Sequence, residues 1–186
     1  MKRKIPTAVQ SLPCYEGEFL RVTLERAVDP EGFEIKRVIV HHHGSAVILP
    51  VDSRGHVLLV RQYRLAAGKY LWELPAGRID EGERPLEAAK RELAEETGYR
   101  GRDWMRIASF YPSPGFLSEK MHVYVARGLK PGEKNPDADE RLTSKWFSMK
   151  MLGELIAKGK IEDGKTLVGV MAWRDFARLK QNGTAG

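Results

Sequence analysis

The sequence predicts an α+β fold. Three observations predict it. Apolar residues near the N-terminus alternate with period two, as half-buried strands do. Short continuous apolar runs in the middle of the chain suit buried strands. Helical spacing appears in three places, without the regular strand–helix alternation of a doubly wound sheet. The 186 residues, 42% hydrophobic and 30% charged, fit one globular domain with a small appendage.

The elements follow in order. Phe19, Arg21, Thr23 and Glu25 fall on one face of a strand, and Leu20, Val22, Leu24 and Arg26 on the other. Asp29-Pro30-Glu31-Gly32 is a turn, and Phe33 to Val40 is the returning strand. Such a two- or three-stranded unit is marginal alone and needs a surface to pack on. We therefore divide the chain into an N-terminal antiparallel strand unit, 1–42, and a main domain, 43–186. Ala46 to Val51 is a buried strand, and a turn at Asp52-Ser53-Arg54-Gly55 leads to Val57–Tyr63, predicting a hairpin. Trp72 to Pro75 is a short extended piece. Pro85 to Thr97 is a helix, with Leu86, Ala89 and Leu93 at helical spacing, Pro85 in its first turn and Gly98 just beyond its end. Strands follow at Met105–Tyr111, Met121–Ala126 and Leu142–Phe147, with a polar loop over Gly128–Glu140. Met151–Lys158 and Thr166–Lys180 are helices. Trp104 and Trp146 fall on strands and are assigned to the core.

Composition narrows the function. One cysteine, Cys14, excludes an intramolecular disulfide and a multi-cysteine zinc site, and it suits a reducing cytoplasm. The basic start Met1-Lys2-Arg3-Lys4 is followed by Pro6, Gln10 and Pro13, so no signal-peptide core is expected. No apolar run approaches the roughly 20 residues needed to cross a bilayer. The net charge of +6 favours anionic partners. His41-His42-His43 lie on a strand, where neighbours point to opposite faces, so we do not assign them to one ion.

Against this basic background, Gly77 to Tyr99 holds four basic and seven acidic residues, a local charge of 4 − 7 = −3. On a helix, Glu92, Glu95 and Glu96 fall within a face roughly 100° wide. Leu86, Ala89 and Leu93 occupy the adjoining face. Crowded carboxylates repel one another, and hard divalent cations such as Mg²⁺ or Mn²⁺ relieve that repulsion. A solvated acidic face, with Arg91 paired to Glu95 one turn on, is the plainer reading of such a helix taken by itself.

The pattern extends beyond the helix. Gly77, five residues, Glu83, seven residues, then Arg91-Glu92-Leu93-x-Glu95-Glu96-x-Gly98-Tyr99 resembles the Nudix box. The resemblance runs from about His41 to Trp146. It implies the Nudix fold, a mixed β-sheet sandwiched between helices, and metal-dependent hydrolysis of a nucleoside diphosphate linked to another moiety. It implies Glu92, Glu96 and the Ala76 carbonyl as metal ligands, Mg²⁺ or Mn²⁺ as the ion, and Arg91 as the residue that orients Glu95 and Glu83.

The flanks resemble the branch acting on ADP-ribose and related nucleoside diphosphate sugars. They are Arg61-Gln62-Tyr63-Arg64, Trp72-Glu73-Leu74-Pro75-Ala76-Gly77 and Pro114, fifteen residues beyond Tyr99. Arg61 and Arg64 suit phosphate oxygens by their guanidinium geometry. With Glu73 and Pro114 they form the expected substrate side. The general base expected from this branch is a loop carboxylate ahead of the last strand. Glu140 is the candidate, with Asp139 and Glu95 as alternatives. The branch also implies a homodimer through the N-terminal strands; the lack of a long apolar run argues against a membrane partner, and a nucleic-acid partner is not expected. Competing readings are hydrolysis of a dinucleoside polyphosphate or 5′-capped RNA, or a non-catalytic nucleotide-binding domain. The first has no aromatic-rich RNA-binding motif behind it, and the last conflicts with the intact box carboxylates.

Overall fold

A computed structural model describes residues 7–17, 20–133, 142–181 and 183. The chain divides into two compact units. One comprises Met1–Gly44 with Tyr111–Lys120, and the other Ser45–Phe110 with Met121–Gly186.

The first unit holds β1 (Thr7–Glu16), β2 (Arg21–Val28) and β3 (Glu34–His41), an antiparallel sheet in the order β1-β2-β3. β1 was not legible in the sequence as a strand because Pro13 interrupts it. The structure accommodates that proline on an edge strand, where a missing N–H breaks no inner ladder. Thr23 and Glu25 share a face as expected. The Thr23 hydroxyl donates to Glu25 Oε1 at 2.7 Å, Ser11 donates to the same oxygen at 2.6 Å, and His41 Nε2 lies 2.7 Å from the Thr23 hydroxyl. The segment after Tyr111 joins this unit through a bridge between Val40 and Leu117. His41 and His42 take different partners: His42 Nδ1 is 3.8 Å from Glu119.

The second unit is built around β4 (Ser45–Pro50). It continues through β5 (Val57–Arg64), a short 3₁₀ turn at Leu65–Ala67, β6 (Lys69–Glu73), β7 (Ala76–Arg78) and α1 (Pro85–Thr97). Then come β8 (Tyr99–Arg100), β9 (Asp103–Phe110), β10 (Met121–Arg127), β11 (Lys130–Pro131) and β12 (Thr143–Phe147). It ends in α2 (Met149–Ala157) and α3 (Gly164–Gln181). A four-stranded mixed sheet has the order β7-β4-β10-β9, with β4 and β10 parallel. A three-stranded antiparallel sheet has the order β12-β5-β6. β8 and β11 pair on their own.

β4 and β5 do not form the expected hairpin. The turn at Asp52–Gly55 leaves one bridge, Val51 to Val57, and the two strands then enter different sheets. An apolar run buried on both faces has no polar face to fix its partner, so sequence adjacency was a poor guide.

Alternation along β4 and β10 divides the core in two. Ala46, Ile48, Tyr124 and Ala126 pack with Ala88, Ala89 and Leu93 of α1. Val47, Leu49, Val123 and Val125 face Leu59, Leu74, Leu152 and Val170, which brings β5, α2 and α3 to the other side. Thus the mixed sheet lies between helices. Leu93 is fully buried, and a side chain of that size contributes roughly 1.5–3 kcal/mol by leaving water. Trp104 and Tyr99 pack at the margin of the α1 cluster, and Tyr99 meets Trp146 edge to face at 5.7 Å.

Candidate active site

α1 presents its acidic residues because its opposite face is pinned to β4 and β10. Pro85 opens it and Gly98, at φ 75°, closes it. Leu93 and Ala89 face the sheet, so Glu92 and Glu95 are turned along the helix flank, while Glu96 is buried at its C-terminal end.

Arg91 is the hub. Its Nε and Nη2 donate to the two Glu83 oxygens at 3.2 and 3.0 Å. Nη1 donates to Glu92 at 2.7 Å and to Glu95 at 3.1 Å, and Nη2 also reaches the Arg78 carbonyl at 2.9 Å. The expected link to Glu83 and Glu95 is therefore present, and Glu92 is added to it. The Arg91 hydrogen bonds hold the Glu83 carboxyl below its ordinary pKa. Glu83 and, behind it, Glu92 hold the Arg91 guanidinium charged more firmly than usual.

Gly77 lies against Glu92. A Cβ built on Gly77 would stand 2.0 Å from the Glu92 carboxylate, so only glycine lets the carboxylate rest on this backbone. β7 pairs Ala76 with Val47 and Gly77 with Ala46, which brings the Ala76–Gly77 backbone to the acidic flank of α1. Among the described residues no three His, Cys, Asp or Glu side chains converge as a finished ion cage, since Glu92 and Glu95 lean on Arg91. The donor set nonetheless fits a hard cation: three carboxylates at positions i, i+3 and i+4, with a backbone cradle that a Cβ would fill.

A second charged group lies beside this one. Arg64 on β5 grips Glu73 of β6 through two bonds, Nε to Oε1 at 2.9 Å and Nη2 to Oε2 at 2.8 Å. Lys165 of α3 bonds the same Glu73 carboxylate, and it bonds Asp163 at 3.0 Å. Glu73 is 1% exposed. Burial pushes its carboxyl up, but Arg64 and Lys165 outweigh burial and hold it below the ordinary range. Glu73 bonding holds Arg64 firmly charged against burial, with support from Glu96 and Asp163, so the network and the carboxylate flank feel each other's field.

The remaining candidates are placed as follows. Arg61 lies over the Tyr70 ring at 5.1 Å and near the Trp72 ring at 6.0 Å. Pro114 belongs to the first unit, where it lines a cavity with Ile39, Tyr111 and Leu117. Glu140 and Asp139 lie outside the described residues. Lys165, Asp163 and Thr166 were missed from the sequence. The available signal was Asp163 three residues ahead of Thr166, a helix-capping spacing confirmed by the Thr166 N–H donating to Asp163 at 2.9 Å.

The NUDIX domain matches residues 41–168. The chain belongs to the Nudix family of hydrolases, a family that generally uses divalent metal ions. It is 33% identical over 169 residues to an ADP-ribose pyrophosphatase of Bacillus subtilis (strain 168), covering 90% of this chain and 89% of that one. It is 32% identical to an ADP-ribose pyrophosphatase of Mycobacterium tuberculosis (strain ATCC 25618 / H37Rv), covering 88% and 81%. Identity to a methanol dehydrogenase activator of Bacillus methanolicus is 34%, covering 87% and 89%. A crystal structure of an ADP compounds hydrolase shares the fold, with a TM-score of 0.81, 23% identity and full coverage of both chains.

Proposed function

We propose that the chain hydrolyses the diphosphate bond of ADP-ribose or a related nucleoside diphosphate sugar, giving a nucleoside monophosphate and a sugar phosphate, with Mg²⁺ or Mn²⁺ as the ion. The observation that carries this reading is the Arg91-centred carboxylate flank beside the Gly77 cradle, in a chain similar along most of its length to two ADP-ribose pyrophosphatases.

Glu92, Glu96 and the Ala76 carbonyl would hold the ion. Divalent ions supply charge neutralisation on the diphosphate and lower the pKa of water. Everything else falls to the protein. Arg91 orients Glu83, Glu92 and Glu95. Arg64, anchored by Glu73, presents a fixed cation to the substrate side, with Arg61 and Pro114 as further substrate contacts. Glu140 takes the proton from the attacking water, because the box carboxylates that hold the ion are the poorer acceptors. With ADP-ribose, water attacks one phosphorus, the P–O–P bond breaks, and the products are AMP and ribose 5-phosphate. The test is a product assay on a panel of nucleoside diphosphate compounds with Mg²⁺. Strong cleavage of ADP-ribose or a close nucleotide sugar is expected. No cleavage across that group, with strong activity on a dinucleoside polyphosphate or capped RNA, overturns the assignment.

The N-terminal strands, 1–42, are proposed to form a homodimer, with 43–186 as the catalytic domain. Support comes from apolar side chains left in the open on the first unit: Phe33, just ahead of β3, is 69% exposed and Val38, on β3, 51%. Sedimentation is expected to show a dimer at micromolar concentration. A fully active monomer refutes it. Among the described residues no helix is long and apolar enough to cross a membrane, and a cytoplasmic site of action is part of the proposal.

A further inference from the structure

We propose that Lys165, Thr166 and Gly169 of α3 form a clamp on Glu73 and Leu74 that positions the Ala76 carbonyl for the divalent ion. These are positioning residues, and the inference rests on the ion site proposed above.

The clamp has three contacts from one end of α3. Lys165 bonds the buried Glu73 carboxylate. The Thr166 hydroxyl accepts the buried Leu74 N–H at 2.7 Å. Gly169 meets the Leu74 side chain so closely that a Cβ there would lie 2.5 Å from Leu74 Cδ1. Thr166 is itself oriented. Its single hydroxyl proton goes to Asp163 Oδ2 at 2.6 Å, which turns its lone pairs toward Leu74.

β6 ends at Glu73, so its ladder does not reach Leu74. Beyond Leu74 comes Pro75, whose ring fixes φ and which has no N–H to give. Its carbonyl accepts from Ile48 N at 2.8 Å, and Ala76 then enters the three-residue strand β7. A displacement at Leu74 therefore passes through a stiff residue to Ala76. On the far side, Arg91 holds the Arg78 carbonyl. The Glu73–Arg78 strap is thus fixed at one end by α3 and at the other by the hub of the carboxylate flank. Groups that orient a metal ligand without touching the ion typically change ion affinity by 10–100-fold when lost.

The test measures Mn²⁺ affinity without nucleotide, by the free-ion EPR signal, alongside kcat and KM on ADP-ribose. Thr166→Val is expected to weaken Mn²⁺ binding about tenfold and lower kcat about tenfold, with KM for ADP-ribose nearly unchanged. Thr166→Ser, which keeps the hydroxyl, is expected to restore both. Leu152→Ala on α2 is the packing control: it lowers the melting temperature and leaves Mn²⁺ affinity at the wild-type value. If Thr166→Val does not fold, Lys165→Gln carries the same comparison. Wild-type Mn²⁺ affinity in the folded variants, or an equal loss in Leu152→Ala, overturns the clamp. A wild-type protein that binds Mn²⁺ but leaves ADP-ribose intact overturns the substrate assignment alone, because the clamp is then judged on ion affinity.

Discussion

Two charged groups sit side by side in the second unit, and their charge balance differs. On the flank of α1, one cation, Arg91, bonds three carboxylates, Glu83, Glu92 and Glu95, with Glu96 buried at the end of the same helix. In the neighbouring group, two cations, Arg64 and Lys165, meet two carboxylates, Glu73 and Asp163. The second group is balanced, two cations against two carboxylates, and it ties β5, β6 and α3 together. The first sets one cation against three bonded carboxylates, and the ion proposed above would offset that excess. Geometry alone would rank both as ion-pair networks; the charge count distinguishes the flank proposed to take an ion from the balanced group beside it.

The sharpest break of this comparison is Glu92→Gln or Glu96→Gln. Each removes surplus charge while keeping shape. Turnover is expected to fall by about 10³-fold, the scale of several kcal/mol of lost charge stabilisation. Without metal, the variants should melt at or above the wild-type temperature, because carboxylate repulsion has been relieved. Near-normal turnover in both would place the ion elsewhere.

Glu73→Gln makes the opposite change, leaving Lys165 and Arg64 without their shared buried counter-charge. A loss of about 3–5 kcal/mol in denaturant stability is expected. The pH dependence has a definite sign. The Glu73 carboxyl is held below its ordinary value of 4.5, so its stabilisation is present above that pH and disappears as pH falls through the lowered folded value. Wild type should therefore lose its advantage over Glu73→Gln on acidification below about pH 4.5. A constant gap between the two down the acid limb contradicts the balanced-network reading.

Glu140→Gln tests whether proton transfer lies outside both groups. A kcat lower by about 10²-fold is expected, with metal affinity and KM nearly unchanged. A value within a fewfold of wild type returns the role to Glu95 or Asp139.

Much of the flank was legible in the sequence because it is local. Arg91, Glu92, Glu95 and Glu96 fall on one helix, and Pro85 and Gly98 mark its ends. Burial of the Ala46–Val51 run was equally plain from its unbroken apolar character. What stayed hidden depends on pairings between distant residues. Thr166 and Leu74 are 92 positions apart, and no periodicity links them. The divergence of β4 from β5 was hidden for the same reason: β4's true neighbours are β7 and β10, and nothing in a symmetric apolar run specifies them. Glu92 leaning on Gly77 was half visible. The glycine stands at a fixed place in the spaced pattern, and the structure shows what it permits there, the close approach of a carboxylate.

The central strand β4 also shapes how the protein is made. Its parallel neighbour β10 is synthesised only after β5 through β9 and α1. A nascent chain therefore carries Ala46 to Leu49 with one open edge until Met121–Arg127 leaves the ribosome. Such late, non-local pairing folds slowly, and an apolar strand with an open edge is where intermediates aggregate. Slowing translation before Met121–Arg127 has emerged should raise the demand for chaperones, whereas a pause after it has emerged should not. Once closed, the same strand lies fully buried mid-sheet, so its backbone amides should exchange with solvent only when the whole unit unfolds.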